Sequence, residues 1–166
     1  MTFLVVYLLF PVVLAIHNID EYSRRADFAR LYHARLAAKL ITPRVIKLAW
    51  IWLTLTAAAL SVLTYAYPRP LLLIVARIAL FALMLNGLGH GILSLKLKTW
   101  TPGTRSALFV VLPYSAVAVL SMRTDLGDSF GSMLRYAAFG AITIPLAALS
   151  SLCVGYGFSL WMARRP

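Results

Sequence analysis

The stretch "AWIWLTLTAAALSVLTYAYPRPLLLIVARIALFALML", residues 49–85, decides the fold. Its only charges are Arg69, inside the YPRP turn, and Arg77. On each side of that turn lies an apolar run close to the ~20 residues a helix needs to cross the hydrocarbon core of a bilayer. The reading is therefore two membrane spans joined by a tight turn.

Working outward, the same pattern recurs. Apolar runs predict spans over residues 2–16, 45–67, 70–95, 106–122 and 134–162, within a single integral membrane domain covering residues 1–166. The chain is 61% hydrophobic and only 13% charged, with mean hydropathy +0.84. One soluble core cannot bury that much apolar surface. In lipid only helices or closed barrels satisfy their own backbone. The expected fold class is an all-α polytopic membrane bundle of five transmembrane helices plus one interfacial amphipathic helix.

A net charge of +11 would suit nucleic acid if it formed one patch, but it sorts by loop instead, so no nucleic-acid partner is expected. Arg24, Arg25, Arg30, Arg35, Lys39 and Arg44 fall between the first two spans, and Lys47 at the inner end of the second. Lys96, Lys98 and Arg105 follow the third, and Arg164 and Arg165 end the chain. The alternate loops hold Arg69, Arg123 and Arg135. By the positive-inside rule this places the N-terminus outside and the C-terminus in the cytoplasm, in a cell inner membrane. Trp50, Trp52, Trp100 and Trp161 then mark the inner interface, and Tyr65, Tyr67 and Tyr136 the outer. Residues 1–16 have no basic stretch before their apolar run, so they read as a retained span and not a signal peptide. The lone Cys153 sits mid-span and reads as a packing residue.

Between the first two spans, Phe28, Leu31, Tyr32, Leu36 and Leu40 recur at helical spacing among arginines. An amphipathic helix over residues 22–42, lying on anionic headgroups of the inner leaflet and carrying His33, is the expectation. Pro113 and Pro145 are expected to kink the fourth and fifth spans. In the fifth, Gly140, Ser150, Ser151, Gly155 and Gly157 would let neighbouring helices approach. Arg77 reads as a snorkelling cation, while Asp125 and Asp128 read as partners for Arg123 or Arg135.

Chemistry concentrates in "HNIDE", residues 17–21, and "NGLGH", residues 86–90. His17 and Glu21 are four apart and share a helix face, with Asp20 beside them; Asn86 and His90 repeat that spacing. Both segments end spans running outside to inside, so they reach a similar depth near the inner leaflet. Two imidazoles with one or two carboxylates suit zinc or non-haem iron. Without a metal, a His/Glu pair in a low-dielectric pocket suits general acid–base work. The expected ligands are His17, Glu21 and His90, with Asp20 and Asn86 as catalytic orienters or an extra ligand. Their side chains should approach within about 6 Å. The zinc-protease HExxH, phosphate-loop and dinucleotide-binding fingerprints are absent.

Together with "WTPG", residues 100–103, these segments resemble, in order, the HxxEE, NxxxH and YxPG motifs of the HXXEE family of small bacterial integral membrane proteins. Two positions depart: Asp20 stands for the first Glu and Trp100 for Tyr. The resemblance adds weight to the three motifs and to a 100–103 turn folded over the site, and implies no particular reaction. The sequence thus leads to a membrane enzyme with a divalent metal or acid–base site, acting on a lipophilic small substrate drawn from the lipid bilayer. The reading from another class is a transporter or accessory protein whose polar cluster handles protons or packs helices. Five spans are few for a transporter, so that reading calls for oligomerisation.

Overall fold

The computed structural model describes residues 2–24 and 42–164. The amphipathic helix expected over residues 22–42 falls almost wholly outside the described residues, as does His33. Six helices are described: α1 (Thr2–Tyr7), α2 (Phe10–Ser23), α3 (Pro43–Ala66), α4 (Pro70–Leu97), α5 (Thr104–Leu126) and α6 (Phe130–Ala163). There is no strand among the described residues. With α1 and α2 taken as one span, Thr2–Ser23, five helical segments are long and apolar enough to cross a membrane, and the protein is an all-α, multi-pass helical bundle.

Sequence chemistry explains the helix boundaries. Pro11 has no N–H for the Tyr7 carbonyl, and the chain breaks into turn at Leu8 and Leu9 before α2 resumes. Thr42 caps α3 by accepting the Val45 N–H, and Ser129 caps α6 by accepting the Ser132 N–H. Pro43 and Pro70 occupy first-turn positions, where a missing N–H costs nothing.

The first span runs seven residues past the expected end at Ile16, because the polar residues that follow are not at its edge. Phe10, Val13, Leu14, His17, Asn18 and Glu21 form one buried stripe at i, i+3, i+4, i+7 spacing. Its apolar half joins Leu80, Leu83, Val111 and Met122 in the core. Its polar half meets the C-terminal part of α4 and the start of α5. Near Pro113, α5 widens into a π-helical turn over Ala107–Val111, and the Leu112 N–H donates to the Ala107 carbonyl five residues back. That widening accompanies the proline, and α6 continues as helix through Pro145.

Between lipid-embedded helices there is no hydrophobic driving force, so close packing at small residues matters. Gly140 meets the α4 backbone at Phe81 and Ala82, and Gly155 meets α3 at Val45 and Ala49. Ser151 is buried, whereas Gly157 faces open space and Ser150 is exposed. A Cβ at Gly155 would lie 2.5 Å from the Val45 carbonyl oxygen, a backbone atom that cannot swing aside. Gly155→Ala is expected to cost about 1–3 kcal/mol by overpacking, and Gly157→Ala close to nothing. Thermal unfolding of both variants in detergent checks this.

At the end of the bundle away from the polar stripe, Arg77 is not left to snorkel. Its Nε donates to Asp128 Oδ2 at 2.8 Å, and its guanidinium lies 5.4 Å from the Tyr136 ring centroid. Asp125 accepts the Phe3 N–H at 2.9 Å, which sets a carboxylate at the positive end of α1. Among the described residues Asp128 thus contacts α4 and Asp125 contacts α1, where pairing with Arg123 or Arg135 is the expectation. Large apolar side chains such as Phe139, Ile142, Leu146 and Leu149 of α6 face outward, as a lipid-facing helix requires.

Candidate functional site

The polar halves of α2 and α4 meet. His17 Nε2 lies 3.6 Å from Glu21 Oε1, and His90 Nε2 lies 2.9 Å from the same oxygen. The two imidazole rings stand edge to face, centroids 4.9 Å apart. One nitrogen from each histidine and one Glu21 oxygen all fall within 4.8 Å of one another, inside the 6 Å expected for a shared site. His17 is 1% and Glu21 9% exposed. Asn86, the partner of His90 on its helix face, sends its Nδ2 to His17 Nε2 at 3.0 Å. Four of the five residues singled out from sequence thus converge on one point.

Asp20, the fifth, has a different place. Its Oδ2 accepts the Ser106 N–H at 3.0 Å and the Ser106 hydroxyl at 2.9 Å. It lies at the positive N-terminal end of α5, where a carboxylate is stabilised. Ser106 Oγ in turn sits 2.9 Å from His17 Nδ1 and 3.0 Å from the Gly103 carbonyl. That hydroxyl has one proton and faces two oxygens that only accept. It must therefore receive a proton from His17 Nδ1, which leaves the lone pair on Nε2, facing Glu21 and Asn86. Asp20 orients His17 through Ser106 instead of joining the cluster. Ser106 carried no signal in the sequence beyond standing three residues after Gly103, at the start of a helix.

The turn between α4 and α5 closes the site. Ser94 Oγ accepts the Thr101 N–H at 2.9 Å, and the hydroxyls of Ser94, Thr101 and Thr104 form a triangle with sides of 2.7–3.0 Å. This knot, in which Thr101 and Thr104 are nearly fully buried, seats Gly103 over the cluster. A Cβ on Gly103 would come within 2.8 Å of Glu21 Cγ and 3.0 Å of Cε1 of both His17 and His90. Only glycine lets the backbone approach this closely, and its φ of +80° is the left-handed region that glycine tolerates. Trp100 is exposed and stands outside the cluster.

Charge decides what the pocket wants. Glu21 lies in the last turn of α2, where the helix dipole is negative and an added anion is disfavoured. Its partners among the described residues are imidazoles, with no lysine or arginine paired to it. A buried carboxylate in such a place needs positive charge, either a protonated histidine or a cation. Asn18, on the same stripe, ties α2 to α3 by donating to Thr54 Oγ1 at 3.1 Å. A groove of about 460 Å³ runs along α4 past Asn86, Gly89 and His90 to Lys96, with Ile144 of α6 as its far wall.

Fold and site together define a multi-pass helical membrane protein with a buried His–Glu–His cluster roofed by a glycine turn. The chain belongs to the HXXEE family, described as proteins of unknown function with an HXXEE motif, whose family model matches residues 8–118. That span contains all three motif segments and every residue of the cluster. No curated protein and no solved structure matches the chain.

Proposed function

We propose that this protein is a membrane enzyme whose centre is a divalent cation held by His17 Nε2, His90 Nε2 and Glu21 Oε1, at the depth of the inner leaflet. The observation that carries the reading is the confinement of three donor atoms within 4.8 Å around a buried carboxylate that no lysine or arginine pairs among the described residues. A cation ~2.1 Å from each of three tetrahedral donors spaces them ~3.4 Å apart, and the separations of 2.9 and 3.6 Å to Glu21 bracket that value. Two imidazoles and a carboxylate are a ligand set suited to zinc or non-haem iron. Bound there, the ion would supply a Lewis acid and a position for activated water or oxygen. The chain's own residues do the rest. Asp20 and Ser106 hold the His17 tautomer, and the Ser94–Thr101–Thr104 knot holds Gly103 in place. Asn86 Nδ2, which donates to the His17 Nε2 lone pair, would yield that lone pair to the ion and turn toward the groove. The cationic loop residues set this end of the bundle toward the cytoplasm, and the groove's apolar walls suit a lipophilic substrate.

Metal analysis of detergent-purified protein is the test. The parent is expected to carry close to one divalent ion per chain, and His17→Ala and His90→Ala close to none. A parent without stoichiometric metal overturns the metal centre.

A second reading rests on His90 Nδ1, a buried atom with no hydrogen-bond partner, where a metal-ligating histidine usually has one for its other nitrogen. In that reading Glu21 accepts from His90 Nε2–H, and the pair handles protons without a metal, in an enzyme or in a transport or accessory protein. It predicts a metal-free parent whose His90 variants change proton-coupled behaviour.

A further inference from the structure

We infer that the α4–α6 groove binds one anionic lipid from the surrounding leaflet, with its acidic head at Lys96 and its chain passing Asn86 and His90. This rests on the proposed reading of the site and names its substrate class. Leu85, Ile92, Leu93 and Ile144 make the walls apolar, and the groove lies on two helices that are each long and apolar enough to cross a membrane. A ligand reaching it laterally is therefore lipid-soluble. Its polar features come in a fixed order along α4. Asn86 and His90 lie deep, and Lys96 lies one residue from the helix end. Lys96 is exposed and has no ion-pair partner among the described residues, so its ammonium is free for an acidic head.

Spacing narrows the class further. From His90 to Lys96 is six residues, a rise of about 9 Å. A phosphate at Lys96 therefore sets the ester linkages and first methylenes of an acyl lipid at the level of the cluster, while the rest of the chain continues past Leu85. A short soluble anion would reach Lys96 and stop. Gly89 keeps the floor open: a Cβ built there meets nothing within 4 Å. Larger residues fit at this position without displacing the cluster, and they fill the groove.

Native mass spectrometry of the purified full chain, with added phosphatidylglycerol or phosphatidylcholine, tests this while metal content is read on the same samples. The parent is expected to retain one phosphatidylglycerol at least about fivefold over phosphatidylcholine, and glycerol phosphate should not compete. Lys96→Gln should erase the preference. Gly89→Leu and, from the opposite wall, Ile144→Trp should each lower lipid retention at least about fivefold with metal content unchanged. Equal retention of the two lipids by the parent, competition by glycerol phosphate, or parental retention in both groove-filling variants overturns the inference. A parent that keeps phosphatidylglycerol but carries no metal overturns the metal centre and leaves the lipid groove standing.

Discussion

Glu21→Gln is expected to lower divalent-cation affinity at least about 100-fold, or about 2.7 kcal/mol, with little change in helix content. The substitution keeps the side chain's length and its place on the buried stripe of α2, so packing against Gly103 survives. It removes the charge, and with it the reason for a cation to leave water for a pocket at the negative end of a helix. Both histidines have an atom within hydrogen-bonding or ion-pairing reach of Glu21 Oε1, so this oxygen is the hinge of the cluster. Ser106→Ala is the matched comparison. It leaves all three donors in place and removes the hydroxyl that links His17 Nδ1 to Asp20 and the Gly103 carbonyl, so a loss of about 10–100-fold is expected, as for other groups that orient a ligand. Calorimetric titration of zinc or ferrous iron against a competing chelator ranks the two. Parental affinity in Glu21→Gln would remove Glu21 from the site.

Much of this could be read before any coordinates, and the parts that could not share one cause. Spans were legible because lipid demands long apolar runs, and each of the five span-length helical segments overlaps the run that foretold it. The convergence of His17, Glu21, Asn86 and His90 was legible because i,i+4 spacing fixes a face and topology fixes a depth. What escaped were contacts set by residues distant in the chain. The apolar run ends at Ile16, but the helix continues because His17 is buried, its Nδ1 satisfied by Ser106, 89 residues away. Asp20 reads as an orienter beside the cluster or an extra ligand, and one residue of offset from Glu21 turns it about 100° around the helix; what the spacing omits is Ser106, the hydroxyl through which it reaches His17. Arg77 looked like a solitary cation because its partner, Asp128, lies 51 residues on, past another span. Local spacing tells which residues share a face, whereas the pairing of faces is a property of the packed bundle.

Gly103→Ala should disable the site while sparing the bundle, and glycine geometry elsewhere supplies its control. The added methyl meets Glu21 Cγ at 2.8 Å and both histidine Cε1 atoms at 3.0 Å. All three contacts are the cluster's own side chains, so relief comes from moving the donors apart. The left-handed backbone adds a strain of about 1–2 kcal/mol for a residue with a Cβ. Gly127 has a similar φ, +65°, but nothing lies within 4 Å of its Cβ position, so Gly127→Ala carries the backbone strain alone. If the turn is a roof pressed on the donors, Gly127→Ala binds metal as the parent does and melts slightly earlier. Gly103→Ala then loses metal affinity about 100-fold or more for a melting shift of similar size. If both variants retain metal, Gly103 only terminates a loop. If both lose it, backbone strain rather than contact governs the site. The difference between two alanines in one backbone conformation isolates what the methyl touches, and at Gly103 that is the cluster itself.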